Sequence, residues 1–333
     1  MNRVDDFFNS IESVMDGLLK QQYIVDRKIA TAVFLAGRLE KPLLIEGPAG
    51  VGKTGLAGAI ATARQTELVR LQCYPGLDES KTLYEWNYQK QLLYIQMHGS
   101  DVDIFSSEFL LERPLLKAFR APKPVVLLVD EIDKSEEELE SFLLEALSEF
   151  QVSIPELGIL TAMHKPYVVI TSNSTRELGD ALKRRCLYLY LAYPDAAREQ
   201  AILSLKVPGL SGFLAKQIVA FVQQLRKMKL KKAPSITETI DWARTLLLLG
   251  RDSLEEQLVR HTLNVLLKYE EDIREAERKS GGILLSLAAD SGPVAGAFAE
   301  DDNQPKVDRA GIDQKQQHGP DPADDPVLAR FDF

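Results

Sequence analysis

The sequence predicts an α/β fold, a parallel sheet flanked by helices, followed by an all-helical region and a polar, acidic tail. Three observations predict it. A short apolar run, Leu43-Leu44-Ile45, leads into the glycine-rich string EGPAGVGKT (Glu46 to Thr54) and then into the Ala-rich LAGAIATARQ. A second apolar run, Val125 to Val129, is closed by two carboxylates, Asp130 and Glu131. From Asp195 the periodicity is wholly helical, until Gly, Pro, Asp and Gln take over beyond about residue 280.

The glycine-rich string fits G-x-x-x-x-G-K-[ST], with Gly47 and Gly52 as the fixed glycines, then Lys53 and Thr54. The competing explanation is an ordinary Gly-rich βα turn, but strand, turn and helix N-terminus occur here in the order a phosphate site requires. The nucleotide-binding stretch is Gly47, Pro48, Ala49, Gly50, Val51, Gly52 and Gly55; the backbone N–H groups of its turn, which Pro48 lacks, point inward, and the helix dipole favours negative charge. Lys53 then reaches the β- and γ-phosphates and Thr54 ligates Mg²⁺. The string marks a nucleotide-binding protein.

With 333 residues and 45% hydrophobic content, the chain is long enough for one large domain or two. No apolar run reaches the roughly 18 residues needed to cross a bilayer, and the acid-containing N-terminus does not read as a signal peptide. Cys73 and Cys186 make no metal-spaced pair, which points to a reducing compartment and, by default, the cytoplasm. From Asp290 onward ten acids face four bases, so −6 of the net −9 belongs to the tail and −3 to the rest. A body so near neutral does not call for a nucleic-acid partner.

In chain order, Phe7, Phe8, Ile11, Val14, Met15 and Leu18 define an amphipathic helix over 4–19, and a second helix spans about 25–38. Tyr23-Ile24-Val25, between them, is a candidate adenine wall. Residues 68–71 read as the second strand. The aromatic stretch 83–97 is either core or a hairpin exposing rings to a partner, and 109–119 is a short helix around Pro114. The fully apolar run 125–129 suits a central parallel strand, with its carboxylates at the end where ligands bind in open sheets. Asp130 there holds Mg²⁺ through water and Glu131 orients the attacking water. Ser135 with Glu138 reads as a capping box, and 151–166 as a loop.

Strand 166–173 ends in Thr171-Ser172-Asn173, whose Asn173 can bond a γ-phosphate or water or simply cap a turn. Residues 176–185 read as helix and 187–194 as strand. Helices are expected at about 195–206, 210–229, 235–249 and 252–278, the third opened by a capping box of Ser235 and Glu238 and followed by the stop signal Gly250. The cluster KMKLKK (227–232) reads as a solvated helix end or, alternatively, a nucleic-acid patch. Expected domains are 1–194 (nucleotide-binding), 195–279 (helical lid) and 280–333 (disordered acidic tail), whose end PVLARFDF is either a docking peptide or a frayed terminus.

A strand with GPAGVGKT, a strand with LLVDEID, a strand ending TSN, paired arginines and a helical lid together resemble the AAA+ ATPases over about residues 20–278. LLIEGPAGVGKT and VDEIDKSEEELESFLLEALSEFQV are similar to the MoxR group. LQCYPGLDESKTLYEWNYQKQLL with TSNSTRELGDALKRRCLYLYLAYP is similar to its CoxD-type ATPases, linked to maturation of the molybdenum–copper CO dehydrogenase and related molybdenum hydroxylases. The resemblance implies an AAA+ P-loop fold, ATP as the nucleotide, and a homo-oligomeric ring, usually a hexamer. It also implies a von Willebrand factor A-type partner and a metalloenzyme client. Asn173 matches the sensor-1 position. The arginine finger, acting in trans, falls on Arg185, with Arg184 second. Segments 83–97 and 151–166 resemble the extra hairpins that MoxR-type proteins present to partners. At the sensor-2 place the chain has Thr237 and Glu238 instead of arginine. Either Arg244, two turns on, serves there, or the contact is missing and turnover is slow.

Three functions follow. The first is a Mg²⁺-dependent ATPase acting as a chaperone in metalloenzyme maturation. The second is a nucleic-acid motor or loader, supported only by KMKLKK and the fold. The third is a nucleotide-gated scaffold with little turnover.

Overall fold

In the computed structural model, residues 6–99 and 103–290 are described; residues 4 and 5 of the first expected helix, and PVLARFDF with the tail beyond 290, lie outside them. The chain opens with a 3-10 turn, Asp6–Phe8, and then α1 (Ile11–Lys20), capped by the Ser10 hydroxyl, and α2 (Arg27–Leu39), capped by Asp26. The single amphipathic helix expected over 4–19 is therefore broken at Ser10, whose hydroxyl accepts from Ser13 N instead of continuing the helical ladder. Next come β1 (Leu43–Glu46), α3 (Lys53–Ala63), β2 (Leu68–Gln72), α4 (Glu79–Leu83), β3 (Tyr84–Trp86), α5 (Tyr88–His98), β4 (Leu110–Glu112) and α6 (Pro114–Phe119). They are followed by β5 (Val126–Asp130), α7 (Glu137–Glu149), β6 (Gln151–Ile154), β7 (Gly158–Thr161), β8 (Tyr167–Ser172), α8 (Asp180–Arg185) and β9 (Leu187–Tyr190). The chain then runs only through helices: α9 (Ala196–Lys206), α10 (Gly212–Lys227), α11 (Ile236–Leu248), α12 (Glu256–Leu266) and α13 (Glu270–Asp290).

The central sheet is parallel, in the order β2-β5-β8-β1-β9. Its inner strands are buried along their whole length, and side chains alternate between two cores. Leu44, Leu127, Val129, Val168 and Ile170 face the layer of α6 and α7; Leu43, Ile45, Val126, Leu128 and Val169 face that of α1, α2 and α3. A third core around Trp242, Phe221 and Leu263 joins α9 to α13. All five strands point the same way, so the loops after β1, β5 and β8 meet at one edge. That edge carries the site.

Several expectations are corrected. Segment 83–97 is not a hairpin: β3 pairs antiparallel with β4, and α5 lies between them, with Trp86 buried while Tyr88, Leu92, Leu93 and Met97 are exposed. Pro114 opens α6 rather than sitting inside it, since its missing N–H costs nothing at the first position. Residues 151–166 are not a plain loop but contain the β6–β7 hairpin, in keeping with the hairpin that the resemblance implied there. Ser135 does not cap α7, because it ends the 3-10 turn Ile132–Lys134, its hydroxyl donating to Ile132 O (2.7 Å); α7 starts two residues on. The Ser235–Glu238 capping box is present. Residues 176–179 are not helical: Arg176 donates to Ser135 O and pairs with buried Glu140, and Gly179 N donates to Glu140 (3.0 Å). The stretch 252–278 is two helices, since the chain turns extended at Leu267 to bury that side chain. Helix α13 runs to Asp290, past the expected tail boundary at 280, with Ile283 and Leu284 packed on the third core. Cys73 and Cys186 are buried free thiols, and burial pushes both up to about 12, which leaves them unreactive.

Candidate active site

The loop from Glu46 to Lys53 folds as its glycines require. Gly47 has φ +153°, and a Cβ there would lie 2.1 Å from Leu191 O; Gly52, with φ +100°, is the left-handed residue that starts α3. Lys53 is 6% exposed and bends back over the loop, its Nζ donating to Gly47 O (2.6 Å), Pro48 O (2.7 Å) and Asn173 Oδ1 (2.8 Å). Burial lowers the ammonium's pKa, while Asp133, Asp130 and Glu131 hold it up.

The carboxylates expected at the end of the apolar strand are there. Asp130, 1% exposed, accepts from Thr54 Oγ1 (2.9 Å), Thr171 Oγ1 (2.6 Å) and Arg70 Nη2 (2.5 Å). Glu131 sits at φ +59°, held by Glu131 N donating to Thr171 Oγ1 (2.9 Å). Its carboxylate accepts from Asn173 Nδ2 (3.0 Å), Gln72 Nε2 (2.8 Å) and Lys134 Nζ (2.7 Å). A non-glycine residue held in this conformation at the mouth of a site is where backbone strain is usually kept for function. Lys53, Asn173 and Glu131 thus form one hydrogen-bonded chain across three loops.

Thr54 and Asp130 offer a hydroxyl and a carboxylate on one spot, and among the described residues no group of three or more His, Cys, Asp or Glu is arranged to hold a metal. A sparse oxygen set of this kind suits Mg²⁺, which keeps waters and phosphate oxygens in most of its octahedron.

Sequence reasoning missed Arg70, Gln72 and Asp133. The first two are the polar positions of β2, spaced two apart, so they reach the same edge. Asp133 accepts from Asn173 N (3.1 Å), Thr175 N (3.0 Å) and Thr175 Oγ1 (2.5 Å), which fixes the turn carrying Asn173. Burial pushes the Asp133 carboxyl up, but these donors outweigh it and hold it below the usual carboxylate range. Its contribution to stability is therefore complete above that range and lost as pH falls through the depressed value. Asp133→Asn is expected to cost about 1–3 kcal/mol in urea unfolding at neutral pH, with the gap from wild type closing in acid.

Beside the loop lies a cavity of about 340 Å³ lined by Tyr23, Ile24, Gly50 to Gly52, Leu191, Arg198, Ile236 and Ile240, among others. Tyr23 and Ile24 stand where an adenine wall was expected, with Tyr23 Oη donating to Gly52 O (3.1 Å); Val25 lines a neighbouring cavity instead. Thr237 also faces the cavity, whereas Glu238 is used by the capping box. Arg244 is exposed, beside Asp241 (3.5 Å), and does not line the cavity. Arg184 and Arg185 are exposed on α8, and Arg185 Nη1 donates to Leu144 O (3.0 Å) and Ser148 Oγ (2.6 Å). They border a cavity with Pro42, at the opposite end of β1 from the glycine loop.

The model of the AAA domain, dynein-related subfamily, matches residues 42–186. Residues 42–186 are thus similar to an AAA domain. Three walls of the cavity beside the loop lie outside that match: the Tyr23-Ile24 segment before it, and α9 and α11 after it. An uncharacterized protein of Staphylococcus haemolyticus (strain JCSC1435) is 24% identical over 282 residues, 81% of this chain and 100% of its own length. Another, from Staphylococcus aureus (strain bovine RF122 / ET3-1), is 25% identical over 63% of this chain and 76% of its own. Among solved structures, the Holliday junction branch migration motor RuvB of Thermotoga maritima aligns at 17% identity and TM-score 0.43, over 84% of this chain and 79% of that one. A point mutant of RuvB aligns at 19% and 0.47, over 86% of each. Among the described residues no helix is long and apolar enough to cross a membrane.

Proposed function

We propose that the protein is an oligomeric, Mg²⁺-dependent ATPase of the MoxR type, related to the CoxD group, acting in the cytoplasm as a chaperone in the maturation of a molybdenum hydroxylase such as CO dehydrogenase. The observation that carries the ATPase reading is the chain Lys53–Asn173–Glu131 beside the Thr54–Asp130 pair. Lys53 and the loop N–H groups bind the phosphates; Thr54 and Asp130 hold Mg²⁺, which neutralises charge on the phosphoryl oxygens. Glu131, anchored by Asn173 and Gln72, orients the attacking water and takes up its proton. Helices α9 to α13 serve as the lid, with a von Willebrand factor A-type protein as partner.

The maturation role rests on the similarity of the segments around residues 71–93 and 171–194 to the CoxD type. Its test is a trap: purify Glu131→Gln with ATP from the native host and identify what accompanies it, with Lys53→Ala as background. Molybdenum hydroxylase subunits or a von Willebrand-type protein support the role. Nucleic acid or replication proteins sink it and favour a motor.

The place of Arg185, at the far end of β1 from its own glycine loop, supports a ring, with six subunits as the family resemblance implies, in which it serves a neighbour's phosphates. Arg185→Ala is expected to lower the hydrolysis rate by about 10³-fold or more. Mixing it with Lys53→Ala subunits should restore part of the activity, because each contributes what the other lacks. No restoration in mixtures that assemble normally would remove Arg185 from this role.

A further inference from the structure

Both carboxylate oxygens of Asp130 are engaged, and from different directions. Oδ1 accepts from Thr54 Oγ1 (2.9 Å) and Thr171 Oγ1 (2.6 Å). Oδ2 accepts from Arg70 Nη2 (2.5 Å), with Thr54 Oγ1 further off at 3.3 Å. The two hydroxyls belong to the interior of the site. The guanidinium reaches in from water: β2 is an edge strand, the Arg70 side chain is 52% exposed, and its other partner is Gln72 Oε1 in the same strand. A carboxylate as buried as Asp130 is costly to leave without a counter-charge. Part of that charge is therefore carried here by a long side chain with solvent beside it. Thr54 and Asp130 are also the groups that would hold Mg²⁺, and the oxygen not tied to Thr171 is the one Arg70 uses. Two cations on one carboxylate oxygen repel each other, more strongly where water is partly excluded.

We propose that Arg70 is a built-in counter-cation of the metal site, which occupies Asp130 Oδ2 in the empty protein and gives it up when the divalent cation enters. One cation replaces another on the same oxygen, so Asp130 is at no stage left bare. The guanidinium keeps its charge at every physiological pH, so only a competing cation removes it. Once released it has water to turn into, because its strand lies at the sheet edge. Arg70 thus sets the metal concentration at which the site fills.

The assignment rests on the Mg²⁺ reading above, and an Asp130 variant separates the two. Binding of Mn²⁺, a paramagnetic substitute for Mg²⁺, is measured on the full-length, nucleotide-free protein from the EPR signal of the free ion. The proteins compared are the wild type, Arg70→Ala, Arg70→Gln and Asp130→Asn. Both Arg70 variants are expected to bind Mn²⁺ about fivefold more tightly than wild type, or better, which is what removing one half-exposed competing ion pair supplies. Asp130→Asn should lose binding. Thermal unfolding is the second readout. Without metal the Arg70 variants should melt below wild type, and saturating Mn²⁺ should close the gap, because the loaded site no longer uses Arg70. Glutamine keeps a neutral hydrogen-bonding group of similar reach, so this variant should fold even if the alanine does not. Mn²⁺ binding in Arg70→Gln no tighter than wild type would overturn the proposal. So would a melting deficit that persists unchanged at saturating metal, the mark of a purely structural ion pair. If Asp130→Asn bound Mn²⁺ as well as wild type, the metal reading itself would fail, and the role of Arg70 with it.

Discussion

Lys53→Ala is expected to abolish nucleotide binding, with affinity for ATP reduced by about 100-fold or more. Two effects combine. The ammonium is the one buried cation in the glycine loop, where on the proposed reading two phosphates converge. It also organises that place, since Gly47 O, Pro48 O and Asn173 Oδ1 all accept from it. Without it, three acceptors turn towards the phosphates and repel them. Calorimetric titration with ATP checks this, and a fluorescent ATP analogue gives an independent readout. Retention of wild-type affinity would show that the loop binds no triphosphate. Because Lys53 lies buried among Asp130, Glu131 and Asp133, its loss also leaves those three carboxylates with only Arg70 and Lys134 as counter-charges, so thermal unfolding should occur at lower temperature.

Glu131→Gln should separate binding from hydrolysis. The amide keeps the size of the side chain and its one oxygen can still accept from Asn173 or from Gln72, but it no longer accepts a proton and loses its pairing with Lys134. Loss of a general base costs about 10²–10⁴-fold in rate, while affinity for ATP should stay within a few-fold of wild type. Phosphate release measures the first and calorimetry the second. A wild type that turns over no faster than this variant would favour the scaffold over the enzyme.

The phosphate loop and the two carboxylates are legible because each depends on neighbours in sequence: fixed spacing for Lys53 and Thr54, and the end of an apolar run for Asp130, Glu131 and Asn173. The parallel sheet follows from the same runs, which are apolar on both faces. The partners of these residues are not legible in this way. Arg70 reaches Asp130 from 60 positions away, and on an edge strand an arginine at alternate spacing looks the same whether it meets solvent or a carboxylate. Arg198 and Ile24 are 174 positions apart, and no local pattern joins them. Helix ends mislead for a different reason, which is competition. The hydroxyl of Ser135 had two possible bonds, and the turn at Ile132 took it. Arg176 reads as a helix former, yet the buried Glu140 draws it out of the helix.

Gly50 bears on how the molecule moves. A Cβ at this position would lie 2.3 Å from Ser235 Oγ, the hydroxyl that begins α11. The glycine loop is thus the sill on which the first turn of that helix rests. In close-packed matter a sill cannot rise without tilting what stands on it. Any ligand that reshapes the loop around Gly50 therefore tips α11, and Trp242, at the centre of the third core, goes with it. The indole is a natural optical reporter of that tilt, already installed at the hub of the C-terminal helices.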